Sequence, residues 1–189
     1  MKYLLLIFCF GLTVSKSQNI ISTFAGTTPG FSGDGLQATS AQINQATGIA
    51  FDFSGNLIIA DRLNKRIRVV NASGIINTKA GIGTNGYSGD GGLATACEFR
   101  NPVVVASDLN GNIYIADEQN SLVRIIDPSG IINKYAGMAL TSGYSGDGGK
   151  ADTAKLNRPL GLAFDNATST LYIADTYNHA IRRVDASGI

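Results

Sequence analysis

Short runs in which apolar and polar residues alternate, divided by glycine-containing turns, fill most of the chain. In the first stretch they are Thr47 to Asp52, Asn56 to Asp61, Arg66 to Asn71 and Gly74 to Gly81, each near the usual length of a strand. The turns between them, Asp52-Phe-Ser-Gly55 and Ala72-Ser-Gly74, place glycine where a positive φ is expected. Both turns recur, as Asp108-Leu-Asn-Gly111, Pro128-Ser-Gly130 and Ala186-Ser-Gly188. The pattern predicts antiparallel meanders. A different spacing precedes each meander: Ala38-x-x-Ala41-x-Ile43, Ala94-x-x-Cys97-x-Phe99 and Ala151-x-x-Ala154-x-Leu156 set apolar residues at helical intervals. One or two helical turns are expected there, too short to hold unless packed on a sheet.

Two independent motifs show that the meanders are copies of one unit. Phe31-Ser-Gly-Asp-Gly35 returns at Tyr87 to Gly91 and Tyr144 to Gly148, with its aspartates 56 and 57 residues apart. Ile59-Ala-Asp61 returns as Ile115-Ala-Asp117 and Ile173-Ala-Asp175, with aspartates 56 and 58 apart. The extra residues fall before Tyr144 and between Asp165 and Leu171, where loops absorb insertions at little cost. Four short strands per unit at a period above 40 point to propeller blades, not to a helical solenoid.

Within the unit, Gly48-Ile-Ala-Phe-Asp52, Gly55-Asn-Leu-Ile-Ile-Ala-Asp61 and Asn64-Lys-Arg-Ile-Arg68 resemble the NHL repeat of bacterial secreted and multidomain proteins. Asn112-Ile-Tyr-Ile-Ala-Asp117 with Asn120 to Arg124, and Tyr172-Ile-Ala-Asp175 with Asn178 to Arg182, carry the same resemblance. The Ser-Gly-Asp-Gly loop and its short helix resemble a long-period form of that repeat. The resemblance implies an all-β fold: a β-propeller of four-stranded antiparallel blades, three of them in this chain as part of a six-bladed ring, with a short helical turn in each inter-blade loop. It also implies a binding scaffold more than an enzyme. The blades fall at about 43–81, 99–137 and 156–189. Residues 19–26 read as one further outermost strand, because Asn19-Ile-Ile-Ser-Thr-Phe-Ala-Gly26 repeats the fourth-strand pattern of Gly74 to Gly81 and Gly130 to Gly137. Three blades are too few for a closed ring. The expected arrangements are a piece of a longer propeller, or a half-ring that pairs with a second copy.

The start of the chain is read as an address. Lys2, the apolar run Tyr3 to Val14 and Ser15-Lys16-Ser17 match a secretory signal peptide over residues 1–17, with the mature protein at 18–189. The run is too short to span a bilayer, so the expected location is secreted, periplasmic or cell-surface, without stable membrane insertion. Loss of Lys2 and Lys16 leaves 13 basic residues against 14 acidic ones, no excess with which to hold nucleic acid. One histidine and two cysteines, of which the mature chain keeps Cys97, exclude a His/Cys zinc site and a disulfide framework.

Candidate functional residues divide into constant and variable positions. Asp61, Asp117 and Asp175, then Asn64, Asn120 and Asn178, then Arg68, Arg124 and Arg182 recur in every unit. They are expected to be structural, with Asp and Asn closing the turn between strands and Arg bridging to a carboxylate. The variable residues between and after them are Arg62, Glu118, Gln119 and Tyr177, with Lys65 and His179 following the Asn. These six lie on the face that also carries the loop into the first strand, and are the candidates for recognition of a protein or polar ligand. The Ser-Gly-Asp-Gly loops raise a calcium site as a minor alternative, although they lack the alternating carboxylates and distal Glu of a calcium loop. No catalytic set is evident. A calcium-dependent lactonase-like enzyme and a purely architectural segment of a larger surface protein stand as the other readings.

Overall fold

The computed structural model describes residues 19–189, so the expected signal peptide lies outside the described residues. Strands β1 (Leu36–Gln37), β2 (Ala46–Phe51), β3 (Leu57–Asp61), β4 (Arg66–Val70) and β5 (Ile75–Ala80) form one antiparallel sheet in the order β1-β5-β4-β3-β2. The second sheet repeats it with β6 (Gly92–Leu93), β7 (Pro102–Ser107), β8 (Ile113–Asp117), β9 (Leu122–Ile126) and β10 (Ile131–Ala136). The third has β11 (Pro159–Asp165), β12 (Thr170–Asp175) and β13 (Ala180–Val184). The hairpins close as their sequence demands. Asp52 Oδ1 accepts the N–H groups of Ser54 and Asn56, Asp108 does the same for Asn110 and Asn112, and Gly55 and Gly111 take φ of +79° and +87°.

Each expected helical turn is a single 3₁₀ turn, at Ala38–Ser40, Ala94–Ala96 and Ala151–Thr153. A second set, at Arg62–Asn64, Glu118–Asn120 and Thr176–Asn178, joins the second and third strands of each sheet. Each ends on a left-handed residue: Lys65, Ser121 or His179, at φ of 54–55°.

The outermost strand expected at 19–26 is not formed. In the two complete sheets the fourth strand exists because it pairs with the third; among the described residues no third strand flanks 19–26, and Ile20 and Ile21 are exposed. Only its last residue keeps the repeat's register, since Gly26 N–H donates to Ala38 O at 2.9 Å as Gly81 does to Ala94 and Gly137 to Ala151.

Successive sheets pack face to face with the 3₁₀ segment wedged between them. Ile58, Ala60 and Ile67 of the first sheet meet Ile115, Ile126 and Ile132 of the second, with Ala94, Cys97 and Phe99 filling the gap. The same layering places Ala151 and Leu156 between Tyr114 and Val123 on one side and Leu171, Ile173 and Val184 on the other. At the inner edge the first strands lie so close that a Cβ on Gly48 would stand 2.6 Å from Val104 Cα, and Thr47 Oγ1 donates to Val103 O at 2.7 Å. The outward face of the first sheet is covered by Ala38 and Ala41 over Ile59, Val70 and Ile76 but open toward its inner strand, where Ile49 is 64% exposed and its counterpart Val105 3%; on the outward face of the third sheet Ile181 is 70% exposed where Ile67 is 0%.

Candidate functional site

The constant positions assemble into one brace per repeat. Asp61, Asp117 and Asp175 are fully buried. Their carboxylates accept the backbone N–H of Asn44 (2.8 Å), Asn101 (2.7 Å) and Asn157 (2.7 Å), fixing the approach to the first strand. Asn64, Asn120 and Asn178 each donate Nδ2 to the aspartate of their own repeat and to a carbonyl of the preceding loop, Gly30, Gly86 or Gly143. Burial pushes the Asp117 carboxyl above its ordinary pKa, against the donors from Asn101, Asn120 and Arg100 that pull it down.

The arginines lock the Ser-Gly-Asp-Gly loops. Arg68, Arg124 and Arg182 place Nη2 2.6 Å from Asp34, Asp90 and Asp147, while Phe31, Tyr87 and Tyr144 of the same loops lie against the guanidinium planes at 4.9–5.2 Å. Each loop is thus a cap that clamps an arginine with a carboxylate below and a ring above. The carboxylates that invited a calcium reading are already engaged by cations. The partnership was missed in the sequence, although the nearly constant interval from loop Asp to strand Arg carries it.

The variable positions behave differently. Arg62 Nε donates to Asn101 Oδ1 at 2.9 Å, Asn101 Nδ2 donates to Glu118 Oε2 at 2.5 Å, and Arg158 Nε stands 3.5 Å from Glu118 Oε1. Arg158 in turn covers the ring of Tyr177 at 5.0 Å. This relay runs across all three repeats through a buried amide and a buried carboxylate, Asn101 at 2% exposure and Glu118 at 6%. It borders an open cavity of about 440 Å³ at the inner edge, completed by Thr47, Val103, Val104 and Leu160. Gln119 and Ser121 line an adjoining hollow of about 300 Å³ with Arg100 and Ser142, and Arg158 forms a wall of both.

Of the six recognition candidates, Arg62, Glu118 and Tyr177 converge on the larger cavity and Gln119 on the smaller, while Lys65 and His179 line neither. Lys65 lies near enough to Arg62 that partial burial and that neighbour both lower its pKa. Asn101, Arg158 and Arg100 were not singled out from the sequence. Their signal was positional: they occupy the loop into the first strand, on the face already chosen.

No protein-family model matches the chain. It is 31% identical over 135 residues to NHL repeat-containing protein 2 of Bos taurus, covering 68% of this chain and 18% of that protein. The same protein of Gallus gallus is 37% identical over 78 residues, 39% of this chain and 11% of the relative. The chain therefore spans less than a fifth of the length of these relatives. Among solved structures, a protein of unknown function from Bacteroides thetaiotaomicron superposes with a TM-score of 0.62 at 22% identity, over 71% of this chain and 34% of that one. A structure described as a putative gluconolactonase gives 0.51 at 15%, over 73% and 44%. What these structures share with the chain is the β-propeller fold, its three sheets being blades.

Proposed function

Because the chain belongs to the NHL-repeat β-propeller family, we propose that it works as a secreted binding module, recognising a polar ligand through the face that carries Arg62, Glu118 and Tyr177. The observation that carries this reading is the relay from Arg62 through Asn101 and Glu118 to Arg158. Burying a carboxylate and an amide is costly unless they are paired, and the other buried carboxylates serve the scaffold, Asp61, Asp117 and Asp175 in the brace and Asp108 in its hairpin turn. Glu118 has no counterpart in the other blades, where Arg62 and Thr176 stand, so it does not belong to the repeated scaffold. It lines a cavity of the size typical for small-molecule sites.

The module is read as part of a six-bladed ring, further blades covering the open faces at Ile49 and Ile181. Secretion rests on the signal-peptide pattern of residues 1–17, and N-terminal sequencing of the exported protein should begin at Gln18. The reading invokes no cofactor. A thermal-shift screen of polar small molecules tests recognition: compounds that raise the melting temperature of the wild type should lose that effect in the Arg62→Ala/Tyr177→Ala variant. Compounds that stabilise both proteins equally would place recognition elsewhere.

A further inference from the structure

The ligand's charge follows from how the two arginines of the cavity are held. Arg62 and Arg158 are each anchored through Nε alone, Arg62 on Asn101 and Arg158 on Glu118. Among the described residues, neither guanidinium makes a hydrogen bond through its two Nη groups. The arginines of the brace present the opposite case: Arg68 and Arg124 spend their Nη groups on loop carboxylates and carbonyls, and their Nε atoms are the ones without partners. A guanidinium fixed at Nε keeps a planar pair of donors free, the geometry that receives two oxygens of a carboxylate or phosphoryl group.

Charge adds to geometry. The residues lining the two adjoining cavities include Arg62, Arg100 and Arg158 as cations and Glu118 as the one acid. Glu118 is occupied by Asn101 and Arg158, so one of the three positive charges is offset and an excess of two remains, even though the chain as a whole is nearly neutral. Val103, Val104 and Leu160 with the half-exposed ring of Tyr177 supply an apolar wall beside these donors. Such a wall suits a compact body with one apolar face.

The geometry points to a monosaccharide-sized organic anion as the ligand of this cavity, its oxyanion gripped between Arg62 and Arg158 and its body laid against Tyr177 and Leu160. This rests on the binding-face reading and narrows it to one charge class. Asn101 and Glu118 are positioning residues that hold the two arginines in register across three blades.

Calorimetric titration of the full chain with D-galacturonate, D-galactose 6-phosphate and D-galactose tests it. At least one of the two anions should bind, with neutral galactose at least about tenfold weaker, and Arg62→Gln and Arg158→Gln should each weaken the anion by about ten- to a hundredfold. Preference for galacturonate assigns a carboxylate, and preference for the phosphate assigns a phosphoryl group; both support the proposal. Arg62→Lys and Arg158→Lys keep the charge without the fork, and should bind at intermediate strength with wild-type melting curves, which covers the case of a Gln variant that fails to fold. Anions that bind no better than galactose, anions that ignore both arginine substitutions, or no binding by any of the three up to millimolar concentration would overturn it. Galactose binding that is lost in Tyr177→Ala would sink the anion proposal while leaving the recognition face intact.

Discussion

Arg124 is fully buried, and its Nη2 lies 2.6 Å from the carboxylate of Asp90, thirty-four residues earlier in the chain. The contact ties a surface loop to the centre of a blade. Replacing Arg124 with Met should destabilise the protein by about 2–3 kcal/mol, less than a wholly buried pair because Asp90 is one-third exposed and rehydrates. Asp90→Asn, which keeps the arginine bonded to the carbonyls of Ser88 and Glu98, should cost about 1 kcal/mol. Urea denaturation of the two variants checks the order.

The wedge between the first and second blades makes Cys97 a pH probe. Burial pushes its thiol from an ordinary 9.0 up to about 11. The native state therefore holds the thiol proton more tightly than the unfolded chain does. This contribution is intact below about 9 and is lost as the pH rises from about 9 to about 11. Tyr87, pushed up from 10.0 to about 12 by burial and by its hydrogen bond to Asp90, extends the loss to higher pH. In a Cys9→Ser background, a thiol reagent at pH 8 should modify Cys97 only as fast as the protein unfolds; rapid modification of folded protein would contradict the wedge.

Matching residues on covered and open faces should differ sharply in importance. Ile67→Ala, inside the first interface, is expected to cost about 3 kcal/mol. Its counterpart Ile181→Ala, on the open face, should change stability by less than about 0.5 kcal/mol. Chemical denaturation of both variants under the same conditions is the measurement.

At His179 the backbone is left-handed, with φ at 55°, and the side chain is exposed. Glycine adopts this conformation without a Cβ penalty, so His179→Gly should stabilise by about 1 kcal/mol, a rise of about 2–4 °C in Tm for a chain of this size. A fall in Tm would mean that the imidazole makes contacts that outweigh the backbone strain.

Most of the blade architecture was legible in the sequence because it repeats. Strand limits followed from alternation and from the Asp-x-x-Gly turns, and β3, β4 and β5 fall within a residue of the expected ranges. The outer strand at 19–26 was misread for a physical reason: its alternation is right, but a strand exists only where a neighbour supplies hydrogen-bond partners. The site was half legible. Variation between Asp and Asn pointed to Arg62, Glu118 and Tyr177, each inside a single repeat. Asn101 and Arg158 matter because of what they touch in the preceding blade, a relationship across repeats that spacing within one repeat does not encode.

The bond from Gly26, Gly81 and Gly137 to the alanine that opens each wedge has the same length, 2.9 Å, in all three places. A seam that identical is a splice point. Cut there, the chain divides into cassettes that each carry a wedge, its arginine clamp and the blade it serves, joined by the same backbone bond. Swapping or duplicating whole cassettes at these glycines should leave the glycine-to-alanine bond at every joint unchanged, while contacts particular to one joint, such as Thr47 Oγ1 to Val103 O, would have to be matched again. The ligand relay, which differs from blade to blade, would be rewritten each time.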